Sequence, residues 1–331
     1  MSTPTLDDTA REEILRRDIL PLYFPGQEAD PTPTFTLLSG QPGSGRSRGA
    51  AQPRSESTPG LVVLNSAELR GFHPAFFDSG ADSSEVAQAV AGWLSACIRY
   101  AREHHRSVVL EGSFGNVPAV VGTAERFAAE GFTTRLVVVG SSRAESLLSV
   151  TSGYLRDVQA RRRATLPRRA EHDDAFHATR RLVESVEQSG GVDRVTVVAR
   201  DGQHVFDATR TEPGFAGAGA ALVGAQSARM SRFDATQWLS ELHHVTDFAV
   251  SLRSMPDGVG ELLVNLHETA LREVIPRLHV PAGGKFTTAI EQKTVAALVT
   301  LRQSVTPTAG PIDLAAPVVV PGGPERGGVS R

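Results

Sequence analysis

Residues 40–47 read Gly40-Gln41-Pro42-Gly43-Ser44-Gly45-Arg46-Ser47. This octapeptide matches the phosphate-binding loop pattern G-x-x-x-x-G-K-[ST], with arginine in place of lysine. It follows a short apolar run at residues 35–38, and such a loop joins a buried strand to the N-terminus of a helix. The main-chain N–H groups of the loop then point at phosphate oxygens, and its glycines permit close approach. The alternative is a glycine-rich surface turn, but the preceding strand favours a phosphate loop.

Each residue of this loop is therefore a candidate nucleotide contact. Arg46 is expected to reach the β- and γ-phosphates, and Ser47 is placed to coordinate Mg²⁺. The planar guanidinium of arginine differs from a compact lysine ammonium in shape and reach, so the substitution is not conservative at a tightly wrapped phosphate. The sequence predicts nucleotide binding more firmly than it predicts efficient catalysis.

Short apolar runs with helical patterns between them predict an α/β fold. These runs lie at residues 35–38, 61–64, 108–110, 136–139 and 195–198. Their alternation with helices predicts a mostly parallel sheet covered on both faces. An amphipathic helix is predicted over 7–23, and Asp201-Gly202 predicts a hairpin turn.

The composition changes after Arg210, and this change suggests the domain organisation. We predict a P-loop domain at 1–210 and a Gly/Ala-rich flexible linker at 211–230. Helical periodicity at 238–252, 259–275 and 289–301 predicts a small helical appendix at 231–305. The Pro- and Gly-rich residues 306–331 are predicted to be a disordered tail.

Charge and composition exclude several classes of protein. The 331 residues carry a net charge of −3, so no strong positive field favours nucleic acids or anionic membranes as partners. The single cysteine, Cys97, excludes a disulfide scaffold. The N-terminus lacks a signal-peptide pattern, and no apolar run approaches the ~20 residues that cross a bilayer. We therefore expect a cytoplasmic protein.

Three further motifs follow the loop in order along the chain. They are His73-Pro74, Glu111-Gly112-Ser113 and Arg163-Ala164-Thr165. Together with the loop, they resemble the zeta toxin family, P-loop kinases that phosphorylate UDP-N-acetylglucosamine. The resemblance spans residues 10–210 and implies a three-layer P-loop kinase-like fold, ATP or GTP with Mg²⁺, a UDP-sugar substrate and an antitoxin as a possible protein partner.

The resemblance also implies roles for individual residues. Arg46 and Arg163 correspond to catalytic positions, and Ser47 corresponds to the magnesium ligand. The residues implied in substrate binding are Glu111, Ser113, Asn65 and His73. For His73, a structural hydrogen bond before Pro74 is the simpler interpretation.

The departures from the family pattern fall on the chemistry. Asn65 and Ala67 stand at the two acidic positions, Arg46 replaces the lysine, and Gly153 replaces one nucleotide arginine. Alanine cannot act as the general base that takes a proton from the sugar hydroxyl. Glu68 and Arg156 are candidate replacements for the lost base and the lost arginine. The pair His243-His244 with Asp247 lacks a third well-spaced metal ligand, and we interpret these residues as a helix surface.

Three hypotheses follow from these changes. The first is a UDP-sugar phosphotransferase with impaired catalysis. The second is a pseudokinase that binds a nucleotide or sugar nucleotide without turnover. The third is a scaffold whose helical appendix binds a partner.

Overall fold

The computed structural model describes residues 6–26, 28–49, 61–77, 83–162, 164–211, 214–278 and 284–305. The described strands form one six-stranded sheet. In chain order they are β1 (Thr34–Ser39), β2 (Val62–Asn65), β3 (Val108–Gly112), β4 (Thr133–Gly140), β5 (Arg194–Ala199) and β6 (His204–Thr209). Across the sheet the order is β2-β3-β1-β4-β5-β6.

The first five strands run parallel, and β6 pairs with β5 in the antiparallel direction. Strand β1 lies in the middle, where Leu37 pairs with Leu110 on one side and with Leu136 on the other. Both faces of these central strands are buried, which explains why the sequence shows continuous apolar runs there. The predicted α/β fold, the five parallel strands and the hairpin at Gly202 are confirmed.

Helices fill the connections between strands and the C-terminal part of the chain. The first, α1, spans residues 8–23 and includes a π-helical segment at Leu15–Ile19. The others are α2 (Arg46–Gly49), α3 (Ser66–Leu69), α4 (Ser83–Glu103), α5 (Val117–Ala129), α6 (Arg143–Gln159), α7 (Arg169–Gln188), α8 (Ala218–Ser227), α9 (Arg232–Ser251), α10 (Val259–Thr269) and α11 (Lys285–Val305). A π-helical segment and a 3₁₀ turn extend α10 to Arg277.

The sheet has a large core on one face and a smaller one on the other. Phe35 and Leu37 point into the large core, where residues of α1, α4, α5, α7 and α8 pack. Leu38 points to the opposite face and packs with Val109 and Val137. This alternation follows from the two-residue period of a strand.

The C-terminal helices surround a separate core that includes part of α6. Leu147 and Leu155 of α6 pack with residues of α9, α10 and α11. The indole Nε1 of Trp238 also donates to the carbonyl oxygen of Ala144 at 3.1 Å. The predicted helical appendix is present, and α6 connects it to the edge of the sheet where β4 ends.

The prediction of a flexible linker at 211–230 is wrong, because residues 218–227 form the helix α8. Ala218, Leu222 and Gln226 recur every four residues and are buried. A methyl group added at Gly140 on β4 would lie 2.5 Å from Cβ of Ala225. The small residues that suggested a linker are therefore the ones that let this helix pack closely on the sheet.

Two sequence predictions fall outside the described residues: the disordered tail at 306–331 and the position of Arg163. Within the described segments, none of the helices combines the length and the apolar composition that a bilayer crossing requires.

Candidate functional site

The octapeptide at residues 40–47 lies where β1 ends and α2 begins. Gly43 and Gly45 adopt φ angles of +77° and +96°, a region that residues with a side chain rarely enter. A methyl group at Gly43 would collide with the main-chain oxygen of Ser146 and would lie 2.8 Å from Val150. The loop is therefore a strand-to-helix turn packed against α6. It lies at the carboxyl edge of a central strand, where open α/β sheets bind ligands.

Side-chain hydrogen bonds hold the loop from behind. The buried side chain of Gln41 donates through Nε2 to the oxygen of Ser141 at 2.8 Å and to Oγ of Ser146 at 3.2 Å. On the other side, Nη1 of Arg200 donates to the oxygen of Gly43 at 2.7 Å. The Gln41 side chain therefore fixes the loop to the residue that follows β4 and to α6.

Sequence reasoning missed Arg200, although one signal was available. It lies two residues after the fifth predicted strand, and the carboxyl ends of parallel strands meet at one edge of the sheet. What the sequence did not reveal is the partner, because Arg200 and Gly43 are separated by 157 positions.

Arg46 contacts Glu111 near the end of β3 and Ser113 just after that strand. Its Nε donates to Oε1 of Glu111 at 3.1 Å, and its Nη1 donates to Oγ of Ser113 at 3.1 Å. Nη1 also donates to the oxygen of Gly40 at 2.8 Å. Burial lowers the pKa of the Arg46 guanidinium, and the Glu111 carboxylate acts against that shift. The loop cation is therefore paired with a carboxylate in this structure.

This arrangement brings three of the predicted site residues into contact. Arg46 belongs to the predicted nucleotide site, whereas Glu111 and Ser113 belong to the predicted substrate site. The side chains of Arg46 and Glu111 are 21% and 13% exposed. An ion pair that is this well shielded from solvent keeps most of its electrostatic attraction. A phosphate group would therefore have to compete with Glu111 for the Arg46 guanidinium.

Asn65 lies at the same edge of the sheet but is engaged locally. It is opposite Glu111 in the β2–β3 register. Its Oδ1 accepts from the main-chain N–H of Ala67 at 2.8 Å, which caps the short helix α3. Neither Asn65 nor Ala67 offers a carboxylate. The Glu68 carboxylate accepts a long hydrogen bond of 3.4 Å from the hydroxyl of Tyr23. This contact is separate from the Arg46–Glu111 pair.

His73 does not join the group formed by Arg46, Glu111 and Ser113. Its ring is 3% exposed and lies beside Trp93, with centroids 6.1 Å apart. Nδ1 accepts from the main-chain N–H of Ala75 at 3.2 Å, and burial lowers the pKa of this ring. The contact agrees with a structural role before Pro74 and offers no direct support for a substrate contact.

The remaining loop residues differ in what they present. Ser47 is exposed on the first turn of α2, so its hydroxyl is open to a metal ion. Ser44 is fully buried, and its Oγ has no hydrogen-bond partner among the described residues. Pro42 is half-buried between these clamped positions. The Ser47 hydroxyl makes no hydrogen bond to another residue in the described part of the chain.

A cavity of about 290 Å³ lies between α6 and α9, and none of residues 40–47 lines it. Arg200, which holds the loop, also lines this cavity, as do Glu145 and Trp238. Arg156 lines it too, but it pairs with Glu241 of α9 at 2.9 Å and with Ser152 at 2.7 Å. Arg156 is therefore committed to the contact between α6 and α9 in this conformation.

The expectation that the histidine pair lies on a helix surface is wrong for one member. His243 is 8% exposed and shares a hydrogen bond of 3.1 Å with Oγ1 of Thr294 on α11. The helix turns this residue toward α11, whereas the adjacent His244 is exposed. No group of three or more metal-ligating His, Cys, Asp or Glu residues occurs within the described ranges.

Comparison with known proteins agrees with this fold. The zeta toxin family model matches residues 23–212, which is more than half of the chain. The protein "Toxin zeta" of Enterococcus hirae is 24% identical over 194 residues, or 56% of this chain and 67% of the relative. "Toxin zeta" of Streptococcus pyogenes is 24% identical over 202 residues, or 59% of this chain and 70% of the relative.

Among solved structures, one from the PezAT chromosomal toxin-antitoxin system of Streptococcus pneumoniae matches with a TM-score of 0.63. It shares 17% identity and covers 74% of this chain and 100% of that chain, a likeness that speaks for the fold alone. The family match rests on the sequence, and the site described above lies inside the matched residues. The chain belongs to the zeta toxin family.

Proposed function

We propose that this chain is a P-loop phosphotransferase with impaired catalysis. It binds ATP or GTP at residues 40–47, and it binds a UDP-sugar such as UDP-N-acetylglucosamine at Glu111 and Ser113. The observation that carries the proposal is the contact of Arg46 with both groups of residues. A phosphoryl group transferred from the loop to a sugar at Glu111 would pass beside this guanidinium, where its charge can be neutralised.

Impaired turnover follows from the missing carboxylate. Asn65 holds a helix cap and Ala67 has no acid group, so neither can take the proton from an attacking hydroxyl. A general base contributes a rate factor of typically ~10²–10⁴. Phosphoryl transfer depends mainly on positioning and charge neutralisation, so a slow reaction survives this loss. Arg163 remains a proposed second cation, by resemblance alone.

Magnesium fits the site through one residue. The exposed hydroxyl of Ser47 can supply one oxygen ligand, and phosphate oxygens and water would supply the others. When bound, the ion neutralises phosphate charge.

The test is an assay of ADP formation with ATP, Mg²⁺ and UDP-N-acetylglucosamine, with the sugar product followed by ³¹P NMR. We expect slow ADP formation that requires both substrates. Glu111→Ala should abolish it, whereas Glu268→Ala, an ion-paired carboxylate in the helical appendix, should not. Calorimetry that detected no ATP or GTP binding by the folded protein would refute the proposal.

A second candidate function is a nucleotide-binding protein without turnover. It is favoured by the pairing of Arg46 with Glu111, which withdraws the loop cation from the phosphates. In that case ATP raises the melting temperature but no ADP forms beyond the buffer rate. The variant Arg46→Lys/Ala67→Asp would restore a lysine and a carboxylate, so activity gained there and absent in the parent would identify the pseudokinase.

A protein partner and a location are also part of the proposal. Matched relatives are called toxin zeta, and the similar solved structure comes from a toxin-antitoxin system. We therefore propose that an antitoxin binds this chain and that both act in the cytoplasm, where nucleotides and sugar nucleotides are available. Co-purification of this chain with the product of an adjacent gene would support this.

A further inference from the structure

A second cavity lies beside the start of α6. Its volume is about 330 Å³, and it is enclosed by the first residues of α6, by α7, by the end of α8 and by the segment that follows α10. None of its lining residues belongs to residues 40–47 or to the Arg46–Glu111 pair. Phe176 and Val274 provide apolar walls. The cavity is therefore a separate space from the proposed phosphotransfer site.

Gln226, at the end of α8, lines this cavity with an unused donor. The residue is 4% exposed, and its Nε2 has no hydrogen-bond acceptor among the described residues. Its Oε1 is occupied, because it accepts from Nε of Arg180 at 2.5 Å. Buried amide groups are rarely left without a partner, since the loss of hydration is costly. The unpaired Nε2 is therefore available to donate a hydrogen bond to an oxygen atom of a ligand.

Arg180 offers further donors in the same wall. Its guanidinium carbon lies 4.9 Å from the centre of the Phe176 ring. The ring and the oxygen of Gln226 hold it in place while Nη1 and Nη2 make no hydrogen bond to a described residue. A guanidinium fixed in this way can bind two oxygens of a carboxylate or phosphate.

The charge of the lining also favours an anion. Arg277, on the rim, has no ion pair within the described part of the chain, and Glu273 is the single carboxylate among the lining residues. Arg143 is neutralised by Asp173, through contacts of 2.7 and 2.9 Å. Among the described residues, the lining therefore carries two arginines without a carboxylate partner, Arg180 and Arg277, and one carboxylate, that of Glu273.

We propose that this cavity binds a small organic anion. Its carboxylate or phosphate group is held by Arg180 and Gln226, and its apolar body packs on Phe176 and Val274. The volume of about 330 Å³ is near the lower end of the range of small-molecule sites, ~300–1,000 Å³. The ligand is therefore a compact molecule with a single ring or a short chain.

Calorimetric titration of the full chain with benzoate, phenyl phosphate and benzyl alcohol tests this proposal. We expect benzoate or phenyl phosphate to bind and benzyl alcohol, which lacks the charge, not to bind. The anion that binds distinguishes a carboxylate site from a phosphate site. If neither anion binds, or if the alcohol binds equally well, the proposal is overturned.

Variants then locate the binding. Arg180→Met should lower the affinity for the anion by about tenfold or more, because charge-assisted hydrogen bonds to a fixed guanidinium are lost. Arg272→Met, an exposed arginine on the same segment as Glu273 but outside the cavity, should leave the affinity unchanged. Arg46→Met, at the phosphate loop, should leave it unchanged too, and loss of anion binding there would place the ligand at the loop instead.

A second variant guards against misfolding. Gln226→Leu removes the unpaired Nε2 and also the acceptor of the Arg180 Nε–H, so it should weaken anion binding at a modest cost in melting temperature. Unchanged affinity in both cavity variants, with both proteins folded, would overturn the proposal.

Discussion

Replacing Glu111 by glutamine should make the protein bind ATP more tightly. Glu111 holds the Arg46 guanidinium at 3.1 Å, so a nucleotide must draw Arg46 away before this cation can contact its phosphates. Glutamine keeps the size of the side chain and removes the charge. The carboxylate also repels phosphate directly, so both effects of the substitution act in the same direction.

The magnitude follows from the separation and the burial of the pair. Two charges about 4 Å apart attract by about 4 kcal/mol at an effective dielectric constant of ~20. The desolvation of both groups offsets much of this attraction. The net free energy needed to release Arg46 from Glu111 is then about 1–2 kcal/mol, which corresponds to a roughly five- to thirtyfold change in ATP affinity.

The assay is calorimetric titration with ATP and Mg²⁺ at constant ionic strength. Glu268→Gln is the matched control, because it removes the charge of an ion-paired glutamate in the helical appendix. A double-mutant cycle with Arg46→Ala separates the two effects. If release of Arg46 is the cause, Glu111→Gln should tighten binding far less in the Arg46→Ala background. Equal or weaker ATP binding by a folded Glu111→Gln protein would refute the reasoning.

Three further predictions concern the loop and the helical appendix. Gly43→Ala should lower the free energy of unfolding by about 1–3 kcal/mol and abolish ATP binding, since its methyl group meets Ser146 at a φ of +77°; denaturant titration and calorimetry check this. Gln41→Ala should cost about 1–3 kcal/mol, because it leaves the Ser141 carbonyl without its donor; the same denaturant titration measures it. Burial lowers the pKa of His243 from 6.5 to about 4, so the unfolded state binds more protons between those values and stability should fall as the pH drops from 6.5 towards 4. His243→Gln should flatten that part of the curve of melting temperature against pH, and an unchanged curve would contradict this assignment.

The sequence predicted most of the α/β framework because its signals are local. Apolar runs mark strands that are buried on both faces, and the glycines of residues 40–47 mark a turn that needs positive φ angles. The same periodicity located the helices of the appendix. It failed at α8, where alanine and glycine on all sides conceal the four-residue repeat of Ala218, Leu222 and Gln226.

The site was predicted only in outline. Residue identities placed Glu111 and Ser113 at a strand end beside the loop, but they gave no sign that Arg46 would pair with them. Nor did they show that Arg200 would hold Gly43, or that His73 would be buried beside Trp93. Each of these contacts depends on which strands become neighbours and on which conformation a long side chain adopts.

The sequence by itself determined that a phosphate-loop pattern follows an apolar run, and that Asn65 and Ala67 stand where the resemblance to the family implies acidic residues. Both are statements about residue types within a few positions of one another. The tertiary structure alone decided where the loop cation points and that α6 belongs both to the sheet edge and to the helical core. Those outcomes are set by strand order and by packing between residues distant in the chain, since buried charges and polar groups take whichever partner the fold brings within reach.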